Sequence, residues 1–122
     1  MLVKKPWGTY RVLFETEDYA VKELRIFPGE RFSLQKHNHR SEEWTILEGD
    51  GLLTLGENQK QTSTLILFKK SRVMVPKGYI HRLKNMNKNK DLVVLEIWWG
   101  DGEKPLSEED IVRYEDDFNR IN

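Results

Sequence analysis

Short segments in which apolar and polar residues alternate fill most of the first hundred positions of the chain. Alternation with a period of two over five to nine residues is typical of β-strands. Turn signals separate these segments, and Gly49-Asp50-Gly51 is the strongest because such residues tolerate positive φ. The segments are YRVLF (10–14), YAVKELRIF (19–27), WTILE (44–48), LLTLG (52–56), STLILF (63–68), RVMVP (72–76), YIHRLKN (79–85) and LVVLEIWW (92–99). With no helical pattern between them, they predict an antiparallel sandwich or barrel over about residues 9–99.

The last part of the chain has a different pattern. Ile111, Tyr114 and Phe118 follow one another at helical spacing, and Ser107 precedes a run of acidic residues in the manner of an N-cap. This pattern predicts one amphipathic α-helix over about residues 107–119, packed on the β-structure.

Composition narrows the class of protein. The chain has 122 residues, which predicts a single domain over residues 1–122. It has no cysteine, so a metal would need nitrogen or oxygen ligands. Lys+Arg and Asp+Glu balance at 20 each, which argues against a nucleic-acid partner. No segment is apolar over the length of a bilayer span or has the core of a signal peptide, so we expect a cytoplasmic protein without membrane contact.

A polar cluster lies in the stretch SLQKHNHRSEEW (33–44). If residues 31–39 are extended, their odd-numbered positions share one face, and Phe32 and Leu34 point the other way. That polar face comprises Arg31, Ser33, Gln35, His37 and His39. Glu42 follows after a bend, and the third histidine, His81, comes after a Pro-x-Gly turn on a later strand. A polar surface loop is the alternative, but imidazoles with a carboxylate suit a divalent ion and favour a metal site.

These residues also carry a family resemblance. Gly29, Gln35, His37, Glu42 and Gly49 have the spacing of the first cupin motif, with Gln in the first histidine slot. Pro76, Gly78, His81 and Asn85 match the second cupin motif, although Lys70 replaces its usual upstream glycine. Together KPWGTY, PGERFSLQKHNHRSEEW, VPKGYIHRLKN and DIVRYEDDFNR resemble the C-terminal cupin domain of type II phosphomannose isomerases, from Pro6 to Arg120.

The resemblance implies an all-β cupin jelly-roll barrel that binds one divalent ion, zinc first, with manganese, iron, cobalt or nickel as alternatives. His37 and His81 are the leading ligands, followed by Glu42 and then by Gln35 and His39. Strand parity would select Glu43 instead of Glu42. Glu42 is favoured because the matching family position is also Glu, although the family often has His where Glu43 stands.

The implied activity is the interconversion of mannose 6-phosphate and fructose 6-phosphate. This reaction needs a base, a Lewis acid and a cation for the phosphate. Glu96 is the candidate base because its strand is apolar on both faces and would bury it; a structural, salt-bridged glutamate is the alternative. Arg31 is the first candidate for the phosphate and for a catalytic cation, followed by Arg113 and Lys77.

The sequence also allows other functions and predicts an assembly state. The alternatives are a different cupin isomerase or epimerase acting on a sugar phosphate or sugar nucleotide, and a non-catalytic carbohydrate-binding cupin. No glycine-rich nucleotide-binding loop occurs, so nucleotide transfer by this chain is not expected. An outward-facing Phe32 and Leu34 would leave an apolar patch, which predicts a homodimer; the alternative is a monomer in which the C-terminal helix covers the patch.

Overall fold

The computed structural model describes residues 1–120, which form eleven β-strands and no helix. The strands are β1 (Leu2–Lys5), β2 (Gly8–Glu15), β3 (Tyr19–Ile26), β4 (Leu34–Lys36), β5 (Arg40–Glu48), β6 (Gly51–Gly56), β7 (Thr62–Leu67), β8 (Arg72–Val75), β9 (Ile80–Asn85), β10 (Leu92–Gly100) and β11 (Val112–Glu115). The predicted all-β class is confirmed, and the eight segments found by alternation are all strands. Among the described residues, none lies in a helix able to span a membrane.

The strands form two antiparallel sheets. One has the order β1-β2-β3-β10-β5-β8, and the other has the order β11-β4-β9-β6-β7. Burial alternates strictly along β3 and along most of β5, so every second side chain points into the interior. The inward face of the first sheet therefore carries Lys22, Glu42 and Glu96 beside apolar neighbours, which brings charged groups inside the molecule.

The hydrophobic core fills one part of the space between the sheets. Trp44 is fully buried and contacts Phe32 edge-to-face at 5.7 Å, and Phe32 contacts Trp7 in the same way. Edge-to-face packing is a preferred arrangement of aromatic rings. The core cluster comprises Trp7, Leu24, Ile26, Phe32, Trp44, Ile46, Leu53, Leu67, Val75, Leu83, Leu92 and Val94. The remaining interior space is the polar cavity described below.

The predicted C-terminal helix is wrong. Residues Val112–Glu115 instead form β11, which pairs antiparallel with β4. Ser107 does make a turn, because its hydroxyl accepts a hydrogen bond from the Glu109 amide, but the turn does not continue as a helix. The free edge of β4 supplies hydrogen-bond partners to the segment that forms β11, which contains β-branched and aromatic residues. This tertiary pairing outweighs the helical tendency that the spacing of apolar residues indicated.

The predicted orientation of Phe32 is also wrong. Phe32 points inward and belongs to the core, and Leu34 is buried as well. Strand β4 covers only Leu34–Lys36, and Arg31 makes an isolated bridge to Lys84, so strict alternation does not extend through residues 31–39. The apolar patch that predicted a homodimer is therefore absent. The dimer stays a prediction that sedimentation would test.

Candidate functional site

Two histidines and one glutamate meet inside the barrel. His37 follows β4, Glu42 lies on β5 and His81 lies on β9, so both sheets contribute to the group. Each residue is at most 2% exposed and offers one ligand atom, and these atoms lie within 4.8 Å of one another. Strand pairing fixes the arrangement, because Gln35 of β4 lies directly opposite His81 of β9.

Backbone carbonyls set the proton position on both imidazoles. His37 Nδ1 lies 2.7 Å from the carbonyl oxygen of Asp110, and His81 Nδ1 lies 3.0 Å from that of Tyr79. A carbonyl oxygen only accepts hydrogen bonds, so each Nδ1 carries the proton and donates it. In the uncharged form of either ring the lone pair is on Nε2, which faces Glu42. Carbonyl-fixed tautomers of this kind are characteristic of metal-binding histidines.

Two polar atoms in this group lack hydrogen-bond partners. Glu42 Oε1 and His81 Nε2 are buried and 3.1 Å apart, yet they do not meet in hydrogen-bond geometry. A carboxylate oxygen and an imidazole lone pair repel each other unless a proton or a metal ion lies between them. Two imidazole nitrogens and one carboxylate form a ligand set that zinc and similar divalent ions accept. The residues present therefore fit a divalent metal.

Arg40 contributes a buried positive charge next to these groups. Its Nε donates to Glu42 at 3.1 Å, and its Nη2 lies 3.3 Å from His37 Nε2. Burial opposes ionisation of Glu42, but His37 and Arg40 hold the pKa of that carboxyl well below its usual range. Sequence analysis missed Arg40, although it shares strand parity with Glu42 on β5.

The structure separates the remaining ligand candidates. Gln35 is adjacent to the group, with its amide nitrogen 3.4 Å from His37 Nε2. His39 lies outside it and contacts Asp101 at 3.1 Å. Glu42 belongs to the group, whereas Glu43 accepts a hydrogen bond from the indole of Trp99. The bend after residue 37 breaks the alternation that grouped His39 with His37.

Glu96 is buried on β10, opposite Lys22 of β3 and Trp44 of β5. Its carboxylate accepts hydrogen bonds from the indoles of Trp44 at 2.9 Å and Trp98 at 2.8 Å. Burial raises the pKa of Glu96 to about 7, and the negative charge of Glu42 adds to the rise. A carboxyl with this pKa exchanges protons near neutral pH, as a general base must.

A cavity opens beside Glu42 and Glu96. Its free space is about 80 Å³, and the empty volume rises to about 610 Å³ when open solvent at its mouth is included. The polar and charged residues lining it are Lys5, Tyr10, Lys22, Gln35, Arg40, Glu42, Glu96, Glu108, Arg113 and Arg120. Sequence analysis did not select Lys22, although the alternation AVKEL places this lysine on the same face as Ala20 and Leu24. A charged residue at an inward-facing position of a strand is the sequence signal that could have identified Lys22 as a cavity residue.

The three predicted phosphate ligands have different locations. Arg113 lines the cavity from β11. Arg31 does not: its guanidinium makes two hydrogen bonds to Asp117, at 2.8 and 2.9 Å. Lys77 does not line the cavity either; it is exposed and contacts Asp101 at 3.3 Å. The assignment of Arg31 to the face of Gln35 and His37 is therefore wrong, because its backbone belongs to a bridge outside β4.

Relatives of known name match nearly the whole chain. A xanthan biosynthesis protein, XanB, of Xanthomonas campestris pv. campestris is 36% identical over 118 residues, covering 97% of this chain and 23% of XanB. The mannose-1-phosphate guanylyltransferase ManC of Salmonella typhimurium is 34% identical over 119 residues, covering 98% of this chain and 23% of ManC. The chain thus spans about a quarter of the length of these relatives.

A solved structure and a family match define the fold and the family. The cupin domain of Schizosaccharomyces pombe Cnp3 superposes with a TM-score of 0.71 at 20% identity, covering 83% of this chain and 69% of that domain. This likeness shows the cupin fold. Residues 1–116 match the family described as mannose-6-phosphate isomerase C-terminal. The chain therefore belongs to the mannose-6-phosphate isomerase C-terminal family and has the cupin fold.

Proposed function

We propose that this domain binds a phosphorylated sugar in its barrel cavity and catalyses a metal-dependent proton transfer between neighbouring sugar carbons. The proposed ligands of one divalent ion, zinc first, are His37, Glu42 and His81. The family name makes mannose 6-phosphate and fructose 6-phosphate the first pair of substrates to test.

The observation that carries this proposal is the position of Glu96. It is a buried carboxylate with a pKa of about 7, and it lines the same cavity as Glu42 of the proposed metal group. Aldose–ketose isomerisation requires a base that removes a proton from one carbon and returns it to the next. The indoles of Trp44 and Trp98 fix the carboxylate, so one group can perform both transfers without moving.

The other residues supply binding and charge. A divalent ion, when bound, acts as a Lewis acid toward the carbonyl and hydroxyl oxygens of the sugar. Arg40 lines the cavity and holds Glu42 ionised, which keeps the carboxylate ready as a ligand. Lys22 and Arg113 also line the cavity and add positive charge for an anionic substrate.

A second candidate function follows from the names of the relatives. XanB is named for xanthan biosynthesis, and ManC is named for guanylyl transfer to mannose 1-phosphate. These names support a role in nucleotide-sugar or polysaccharide synthesis more directly than they support isomerisation of mannose 6-phosphate. The broader alternative is a cupin that acts on, or only binds, another sugar phosphate or a sugar nucleotide.

A substrate panel separates these candidates. We would incubate the purified chain with hexose 6-phosphates, hexose 1-phosphates and sugar nucleotides, with and without a chelator, and follow isomerisation in deuterated water. Glu96→Gln should lower the rate about 100- to 10,000-fold and leave metal content unchanged. Glu43→Gln, which changes an outward carboxylate, is the matched control. Turnover that survives both the chelator and Glu96→Gln would contradict the proposal.

A further inference from the structure

Lys22 is a buried cation in the lining of the cavity. It is 3% exposed, and its ammonium lies 3.2 Å from the ring centroid of Trp98 and 4.7 Å from that of Tyr10. Aromatic faces attract an ammonium group but do not neutralise its charge. Because a buried cation is costly without an anion beside it, this site is built to hold one.

Glu108 supplies that anion in the structure. Its Oε1 lies 2.7 Å from Lys22 Nζ, and it also accepts a hydrogen bond from the Tyr10 hydroxyl. The two residues differ in exposure: the side chain of Lys22 is 4% exposed, whereas that of Glu108 is 49% exposed. Glu108 lies in the segment 107–110, which precedes β11 and forms no strand. The cation is therefore fixed in the barrel wall, and its partner lies on a surface turn.

Lys22 lies beside the proposed base. It is directly opposite Glu96 across β3 and β10, and Trp98, whose ring faces the Lys22 ammonium, is opposite Glu42 across β10 and β5. At the backbone, one strand spacing of about 5 Å separates Lys22 from Glu96. An anion held by Lys22 would therefore lie in the same cavity as the proposed base and the proposed metal ligand Glu42.

We propose that Lys22 and Tyr10 form the subsite for the phosphate group of the sugar, and that Glu108 occupies this subsite until the phosphate displaces it. This inference rests on the proposed function for the identity of the ligand. A phosphate offers more acceptor oxygens than a carboxylate and carries more charge, so it is the stronger partner for a buried ammonium and a hydroxyl. Displacement costs little, because the Glu108 carboxylate is half exposed and regains water.

The alternative is a permanent ion pair that fastens the turn to the barrel. The two accounts differ in the effect of removing the Glu108 charge. If Glu108 competes with the phosphate, removing its charge leaves the subsite open and anions bind more tightly. If Glu108 only fastens the turn through an ion pair, removing its charge loosens the turn and anion affinity does not increase.

Glu108→Gln tests this directly, because it changes an exposed position and should not prevent folding. We would measure binding of inorganic phosphate, mannose 6-phosphate and mannose by calorimetry, at fixed ionic strength and matched metal content. We expect Glu108→Gln to bind inorganic phosphate about fivefold more tightly than the wild type. Glu109→Gln removes the same charge from the adjacent exposed residue and should leave affinity unchanged.

Lys22→Gln should weaken binding of inorganic phosphate and mannose 6-phosphate about tenfold or more and leave mannose binding unchanged. Lys22→Met, which preserves the packing of the stem against Trp98, serves as a second variant with the same expected loss. The proposal is overturned if Glu108→Gln binds phosphate no more tightly than Glu109→Gln does. Because binding is measured without turnover, a protein with this phosphate pattern and no isomerase activity would retain the subsite and refute only the proposed reaction.

Discussion

The carboxylate of Glu96 shows how its surroundings give one side chain its chemistry. Two indole N–H groups hold it in place, and burial keeps its pKa near the pH at which a general base works best. Its burial was predictable from the apolar strand around it. Its indole partners were not, because Trp44 is distant in sequence and meets it only through the pairing of β5 with β10.

The raised pKa of Glu96 predicts the pH dependence of the reaction. The base is the ionised form, and its pKa is about 7, so the rate should rise with pH up to about 7 and then level off. The measurement is kcat/KM for the active substrate between pH 5.5 and 8.5. A flat profile over this range would remove Glu96 from the role of base.

At the scale of elements, the turn before β11 supports the metal group. The backbone carbonyl of Asp110 accepts a hydrogen bond from His37. The side-chain carboxylate of Asp110 accepts hydrogen bonds from the backbone amides of Asn38 and His39, at 2.8 and 2.9 Å. One residue thus fixes both a proposed ligand and the backbone that carries it. Residues that orient a metal ligand in this way affect metal affinity strongly.

Asp110→Ala keeps the carbonyl that accepts from His37 but removes the carboxylate that holds the amides of Asn38 and His39. Because these amides belong to the backbone that carries His37, we expect metal binding to weaken about tenfold while the protein stays folded. Loss of the two hydrogen bonds to backbone amides should also lower stability by about 1–3 kcal/mol. Competition with a chromophoric chelator measures the affinity, and Glu109→Ala controls for a change in the same turn. Equal metal affinities for Asp110→Ala and Glu109→Ala would show that the Asp110 carboxylate does not position the proposed metal ligands.

Elements were predictable where the signal was local. Alternation in YAVKELRIF and WTILE identified β3 and the second half of β5. The helical spacing in the tail gave a wrong prediction. Ile111 does reach the cavity and Phe118 does pack on the core, but no helix carries them there. Alternation also failed around residue 31, because β4 is only three residues long and the chain bends on either side of it. Both failures occur where a short strand depends on a distant partner.

At the scale of the whole molecule, the proposed ligands join the two sheets of the barrel. Glu42 belongs to the first sheet and His81 to the second, so an ion bound between them links the two layers. An ion that binds only the folded state stabilises it by about 2.7 kcal/mol at 100 times its dissociation constant. The metal should therefore contribute to stability as well as to chemistry.

Removal of the ion by a chelator should lower the melting temperature by about 5–10 °C for a domain of this size. Thermal unfolding followed by circular dichroism measures this change. The His81→Ala variant should melt at the same temperature with and without the chelator. A wild-type protein whose melting temperature does not respond to chelation or to added zinc would contradict a metal that joins the sheets.

Elemental analysis of protein never exposed to a chelator tests the central claim most directly, since the claim is a divalent ion held by His37, Glu42 and His81. The account predicts about one ion per chain in the wild type and in His39→Ala, whose imidazole lies outside this group and contacts Asp101. It predicts a loss of most of the metal in His81→Ala and in Glu42→Gln, with both variants folded. Wild-type protein without metal, or equal metal contents in His81→Ala and His39→Ala, would contradict it.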